Sequence, residues 1–247
     1  MALVKTKHQI SKMKEAGRIV ALVHKELKKI IQPNISLIEL NDLAEKIILD
    51  EGGKPAFKGY DGFPAAICSS VNEVMVHGIP SNYRLNSGDI ISIDVGVEKN
   101  GWYGDAAFTV GVGKVSSKAQ KLIDVTKNAL NSAIKFAKPG ITLGELGKHI
   151  ESFALKNGYS SAHDFVGHGI GTKMHEEPFV PNYEFKGGMK LKEGMTICIE
   201  PMFIDGPDDL FIDPIDKWTV RSKNKDLTTH YEHTILITKE GGEILTK

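Results

Sequence analysis

The residues with the most chemical potential in this chain are carboxylates on a hairpin. Ile91, Ile93, Val95 and Val97 alternate with Ser92, Asp94 and Gly96, the period of a half-buried strand. Asn100-Gly101 is a favoured two-residue turn, and Trp102 to Val110 reads as the return strand. A turn centred there sets Gly96 opposite Asp105 and Asp94 opposite Ala107. Asp94 and Asp105 then share one face as diagonal neighbours, roughly 7–8 Å apart at the backbone and within reach of one ion. Two desolvated acids repel and raise each other's pKa, so a divalent cation between them is the simplest remedy. Glycines close to each acid, Gly96 and Gly104, are expected to leave it space.

The elements around this hairpin occur twice. Apolar residues from Ile10 through Met13, Ala16, Ile19, Val20, Val23 and Leu27 to Ile30 have helical spacing over 7–31. A second helix opens with the capping box Ser36-x-x-Glu39 and stops at Gly52-Gly53, and short strands follow near Ala65–Val71 and Val74–His77. In the second half a helix from about Ser117 to Lys138 precedes another that opens at Thr142-x-x-Glu145 and ends at Gly158. PNISLIEL at 33–40 aligns with PGITLGEL at 139–146, and LNSGDIISID at 85–94 with LKEGMTICIE at 191–200. Both alignments need the same shift of 106 residues, which implies a duplicated unit of two helices and an antiparallel sheet. The expected fold is α+β, with halves of about 1–112 and 113–247 in a single domain. Asp94 maps onto Glu200, and Glu232, in the strand His230-Tyr231-Glu232-His233-Thr234, is the expected counterpart of Asp105. Four carboxylates would meet between the halves and hold a pair of hard or borderline divalent ions.

Three histidines add to this set. His168 and His175 lie in FVGHGIGTKMHEEP, where the glycines beside His168 are expected to clear space for metal or substrate, and His77 ends a strand in VMVHGIP. The rest of the composition excludes more than it suggests. Lys+Arg and Asp+Glu are both 31, which gives no electrostatic case for nucleic acid or a membrane surface. MALVKTKHQI carries no signal-peptide run, and no segment is long enough to span a bilayer. Cys68 and Cys198, the two cysteines, form no CxxC pair; core packing in a reducing, cytoplasmic compartment is the expectation.

NEVMVHGIP, ISIDVG with GDAAFT, GHGIG with MHEEP, CIEPM and YEHT occur in one order and at spacings that resemble the short form of the methionine aminopeptidases, over nearly the entire chain. The resemblance implies the pita-bread fold with a dinuclear site at its centre, holding two ions of Co, Mn, Fe or Zn. It implies Asp94 as ligand to one ion, Asp105 and Glu232 as bridges, and His168 and Glu200 as completing the second. His77 and His175 would contact substrate at the scissile amide, and Glu200 would relay a proton. Tyr60, Phe63, Cys68 and Trp218 would wall the methionine pocket, with Met174 where the family often has an aromatic residue. Carbonyls of Asn72, Val74 and Thr228 resemble a monovalent-cation site. The implied activity is removal of N-terminal methionine from nascent polypeptides, favouring a small second residue, by a monomer with docking at the ribosome left open.

Aminopeptidase P and prolidase, the proline-specific relatives, share the metal set but normally carry an additional N-terminal domain, whereas this chain begins almost directly with the catalytic fold. The short interval from His168 to Glu200 argues against the long form. A non-catalytic binding relative would be expected to lose ligands, and all five are present.

Overall fold

The computed structural model describes residues 3–247. Among them are four long α-helices, α1 (Lys7–Ile30), α2 (Leu37–Asp50), α3 (Ser117–Phe136) and α4 (Leu143–Lys156). Both capping boxes form: Ser36 Oγ accepts from the Glu39 N–H while Glu39 accepts from the Ser36 N–H, and Thr142 and Glu145 repeat the exchange.

The duplication is visible bond by bond. Leu37 N–H donates to Tyr83 and Ile38 N–H to Ser81; in the other half Leu143 N–H donates to Met189 and Gly144 N–H to Gly187. The bridges Ser36↔Arg84 and Thr142↔Lys190 complete the match. Each pair differs from its counterpart by the shift found in the sequence.

In the first half Ile90–Lys99 pairs antiparallel with Trp102–Gly111 and with Cys68–Val71. Asp94 faces Ala107, and Gly96 faces Asp105, as the turn predicts. One hairpin face carries Ile93, Val95, Ala106 and Phe108 into the core beneath α1; burying each large side chain contributes roughly 1.5–3 kcal/mol. The opposite face presents Ser92, Asp94, Asp105 and Thr109 toward the second half. There Thr196–Ile199 pairs with His233–Thr238, and Met202–Ile204 with Thr228–His230.

The second-half hairpin is broken where the first is continuous, at Glu200-Pro201 and at Tyr231-Glu232. Pro201 has no N–H for a ladder, and its carbonyl accepts from the Tyr231 N–H at 3.2 Å. Glu232 crosses to the other half: its N–H donates to Ala107 C=O at 2.9 Å, and Ala107 N–H donates back at 3.3 Å.

The glycines serve a different purpose from the one expected. A Cβ on Gly104 would lie 2.9 Å from the Gly17 backbone nitrogen, so this glycine lets α1 approach the hairpin. One on Gly96 would strike Phe57 at 2.7 Å and Met174 at 2.9 Å. Gly167 and Gly169, beside His168, avoid Cys198 O and Glu177 O in neighbouring strands. All four make room for protein, not for an ion.

Candidate metal centre

Asp94, Asp105, His168, Glu200 and Glu232 line one cavity of about 220 Å³ between the halves. Hydrogen bonds across the duplication fix their backbones. Thr234 Oγ1 accepts from the Asp105 N–H at 2.9 Å and donates to the Asp105 carbonyl at 2.8 Å. His168 Nδ1 lies 2.8 Å from the Gly169 carbonyl; because a carbonyl only accepts, Nδ1 carries the proton and the Nε2 lone pair faces the acids. That Nε2 lies 3.8 Å from Asp105 Oδ2, 3.8 Å from Glu200 Oε1 and 3.9 Å from Glu232 Oε1.

These spacings are too long for hydrogen bonds. They are close to the ligand–ligand distance, about 3.4 Å, set by donors about 2.1 Å from a tetrahedral ion. Asp94 Oδ1, Asp105 Oδ1, Glu232 Oε1 and His230 Nε2 are buried with no hydrogen-bond partner, a costly arrangement unless a cation satisfies them. Burial pushes the Asp105, Glu200 and Glu232 carboxyls well above their ordinary range. The charge of Glu232 adds to this at Asp105, and that of Glu200 at Glu232. Asp94 moves up for the same primary reason. Burial also brings His168 down to about 3 and so keeps it a neutral donor. The donor set of carboxylates with imidazole fits hard to borderline divalent ions.

Apolar side chains enclose the rest of the cavity. Phe63 and Trp218 meet edge to face at 5.2 Å, and Cys68, directly opposite Asp94 in the sheet, lies between this wall and the acids. His77 and His175 also line the cavity. His77 holds a left-handed backbone (φ 58°), a strained state for a non-glycine, and burial lowers its pKa to about 4. His175 stacks edge-on to His168 at 4.4 Å, and its Nδ1 lies 2.8 Å from the Tyr60 hydroxyl.

The Metallopeptidase family M24 model matches residues 11–239. The chain belongs to that family. It is 44% identical to methionine aminopeptidase 1 of Bacillus subtilis over all of both chains. The methionine aminopeptidase structure from Thermotoga maritima superposes with a TM-score of 0.97 at 42% identity, covering 99% of this chain and 98% of that one. The prolidase of Pyrococcus furiosus gives 0.78 at 25% identity, over 99% of this chain and 65% of the prolidase. The fold is thus the pita-bread fold of M24, and the chain, a metallopeptidase of that family, carries a buried cluster of possible divalent-metal ligands.

All the expected site residues of the M24 cavity come together there except the Asn72, Val74 and Thr228 group. That group forms a separate cluster in which Thr228 Oγ1 is 2.9 Å from Asn72 O and 2.8 Å from Val74 O. Met174 is buried behind Gly96 and lines no part of the cavity. Cys198 packs in a core cluster with Met13, Ile170, Leu236 and Leu245, as expected, and its thiol also belongs to a group with Asp105, His168 and Glu232 and lies 3.5 Å from Thr234 Oγ1. Burial first, then the charge of Glu232, pushes that thiol well up, which keeps it protonated.

The sequence reading missed Phe57, Asp61, Val76, Phe165, Val166, Met202 and His230 as lining residues. Two of these carried a signal. Met202 and His230 stand two residues from Glu200 and Glu232, the spacing that returns a strand to the same face. The register also corrects one pairing of the halves. Ile199↔His233 and Met202↔His230 follow one register, so Glu232 occupies the place of Ala107, and the residue in the place of Asp105 is His230.

Proposed function

We propose that the chain hydrolyses the first peptide bond of polypeptides beginning with methionine, using two divalent ions held by Asp94, Asp105, His168, Glu200 and Glu232, with Asp105 and Glu232 shared between the ions. The observation that carries this reading is the adjoining of a buried, unpartnered acid–imidazole cluster and an apolar wall of Phe63, Trp218, Tyr60 and Cys68 in one cavity. Greater identity to the methionine aminopeptidases than to the prolidase supports methionine over a proline-specific substrate.

The ions, when bound, supply Lewis acidity: they lower the pKa of water and stabilise negative charge on oxygen. The protein contributes position and proton transfer. The apolar wall takes the methionine side chain. Glu200 accepts the proton lost by the attacking water and delivers it to the departing amide nitrogen, which His77, held neutral, keeps in place. His175 donates from Nε2 to the developing oxyanion. For a neutral imidazole this requires Nδ1 to accept, so Tyr60 donates its hydroxyl proton and fixes the ring. The lowered pKa of His175, caused by burial, keeps it neutral near pH 7.

A His175→Ala variant is therefore expected to lose about 10²–10³-fold in kcat while binding the same number of ions. Kinetics and metal analysis on one preparation measure both, and a parallel loss of metal would make His175 a ligand.

The direct test uses a Met-Ala-initiated peptide. Protein stripped of divalent ions is expected to release no methionine, and Mn, Co, Fe or Zn to restore release. Activity in chelator, or none with any of these ions, contradicts the mechanism. Comparison of second residues from Ala to Leu tests the preference for small ones.

Several further assignments go with this reading. The convergence of the Asn72 and Val74 carbonyls on Thr228 supports a monovalent cation there. Both cysteines are free and buried, which suits a reducing cytoplasm, where nascent chains leaving the ribosome are the substrates. No described helix is long and apolar enough to cross a membrane. The bonds exchanged between Ala107 and Glu232 support one catalytic unit made of both halves.

A further inference from the structure

The ligand set above leaves one buried imidazole of the cavity without a role. His230 is 2% exposed, and its Nε2 has no hydrogen-bond partner. Its backbone is held as that of Asp105 is. Thr109 Oγ1 accepts from the His230 N–H at 3.1 Å and donates to the His230 carbonyl at 2.8 Å, mirroring the clasp of Thr234 on Asp105. Strand register gives the same equivalence: Asp105 faces Gly96, and His230 faces Met202, one duplication shift further on. His230 thus occupies in the second half the place that a bridging acid occupies in the first.

The glutamates lie between two imidazoles. Glu232 Oε1 is 3.9 Å from His168 Nε2, and its Oε2 is 3.9 Å from His230 Nε2. Glu200 Oε1 is 3.8 Å from His168 Nε2, and its Oε2 is 3.5 Å from His230 Nε2. Each carboxylate turns one oxygen toward each ring at ligand–ligand spacing, and Glu200, His230 and Glu232 can close on a single ion.

We propose that His230 Nε2 is a metal ligand, serving the ion on the side of the cluster away from His168, so that each ion of the pair has one imidazole. The inference rests on the dinuclear reading and deepens it. A nitrogen donor in a position served otherwise by carboxylates tightens the site of the ion away from His168. It also tilts its preference from hard ions such as Mn²⁺ toward the more borderline Co²⁺, Fe²⁺ and Zn²⁺.

The test begins with the unmodified protein loaded with Co²⁺ and the anomalous signal of cobalt located in crystals. His230 Nε2 is expected within about 2.3 Å of one of two ions. Two bound ions with that nitrogen beyond about 3 Å overturn the proposal and leave the dinuclear reading intact; no ion in the cavity overturns both. In solution, calorimetric titration of His230→Gln with Co²⁺ is expected to weaken one binding step by about 10–100-fold. The other step should stay unchanged, and the loss should be smaller for Mn²⁺. Melting in chelator reports whether the variant is folded; if it is not, the crystal distance decides alone. Affinities at both steps equal to those of the unmodified protein in a folded variant would refute the assignment.

Discussion

An Asp105→Asn variant is expected to lose about 10³-fold in kcat/KM on a Met-Ala peptide, the several kcal/mol that a correctly held ion pair contributes. The substitution keeps side-chain volume and an acceptor oxygen but removes the charge of a proposed bridge. Stability is expected to move the other way. Asp105 is 3% exposed, and burial, Glu232 and Asp94 all resist its ionisation. Without ions the neutral amide removes that repulsion, so in chelator the variant should melt at the same temperature as the parent or higher. Saturating Mn²⁺ should raise its melting point less than the parent's. Glu232→Gln is expected to behave alike, since Glu232 is 1% exposed and pushed up by the same burial and by Glu200. Retained turnover with two ions bound would remove these residues from the bridging role. A large loss of stability in chelator would show that the carboxylates support the fold itself.

Stripping the ions is expected to make stability fall as pH rises through the neutral range. The sign follows from linkage. Asp105, Glu200 and Glu232 have folded pKa values raised above their unfolded values of about 4, so the folded protein binds the extra protons and loses stability as pH climbs toward those values. His77 and His168 act oppositely but elsewhere. Held near 4 and 3 against about 6.5 unfolded, they cost stability as pH falls below about 6.5 and are silent above it. Between pH 6.5 and 8.5 the histidines change little and the carboxylates act as one coupled set, joined in the same direction toward the upper end by the buried thiols of Cys68 and Cys198, which burial also pushes up. The melting temperature in chelator should therefore drop across that interval, while the metal-loaded protein should be flat or gain, because ions bind deprotonated ligands. Free ion at about 100 times its Kd adds about 2.7 kcal/mol, or roughly 5–10 °C for a chain of this size. A melting temperature in chelator that rises from pH 6.5 to 8.5 would mean that the acids are paired by something other than metal.

What the sequence makes legible here is whatever depends on local period. The alternation around Asp94, the Asn100-Gly101 turn and the boxes at Ser36 and Thr142 are short-range patterns, and the structure follows them residue by residue. The shift of 106 is a longer pattern but still a comparison of chain with chain, and paired bonds at Leu37 and Leu143 reproduce it. What lies across a face is not encoded in its period. Gly96 and Gly104 were expected to clear space for an ion and instead admit Phe57, Met174 and α1, neighbours brought in from elsewhere in the chain. Glu232 was paired with Asp105 by chemical likeness, whereas Pro201 interrupts the ladder and the register pairs Asp105 with His230. The place of His230 is set by strand register and by the clasp of Thr109 on its backbone, neither of which a local period carries.

The mutual backbone exchange of Ala107 and Glu232 has a consequence for substrate direction. Those two residues sit where the copies map onto one another, and a perfectly repeated chain would put identical side chains there. Such a centre would look the same from either end and could bind a peptide forwards or backwards. With a methyl group on one side and a carboxylate on the other, the two approaches differ in charge. An exopeptidase that must tell an amino terminus from a carboxyl terminus can use that inequality.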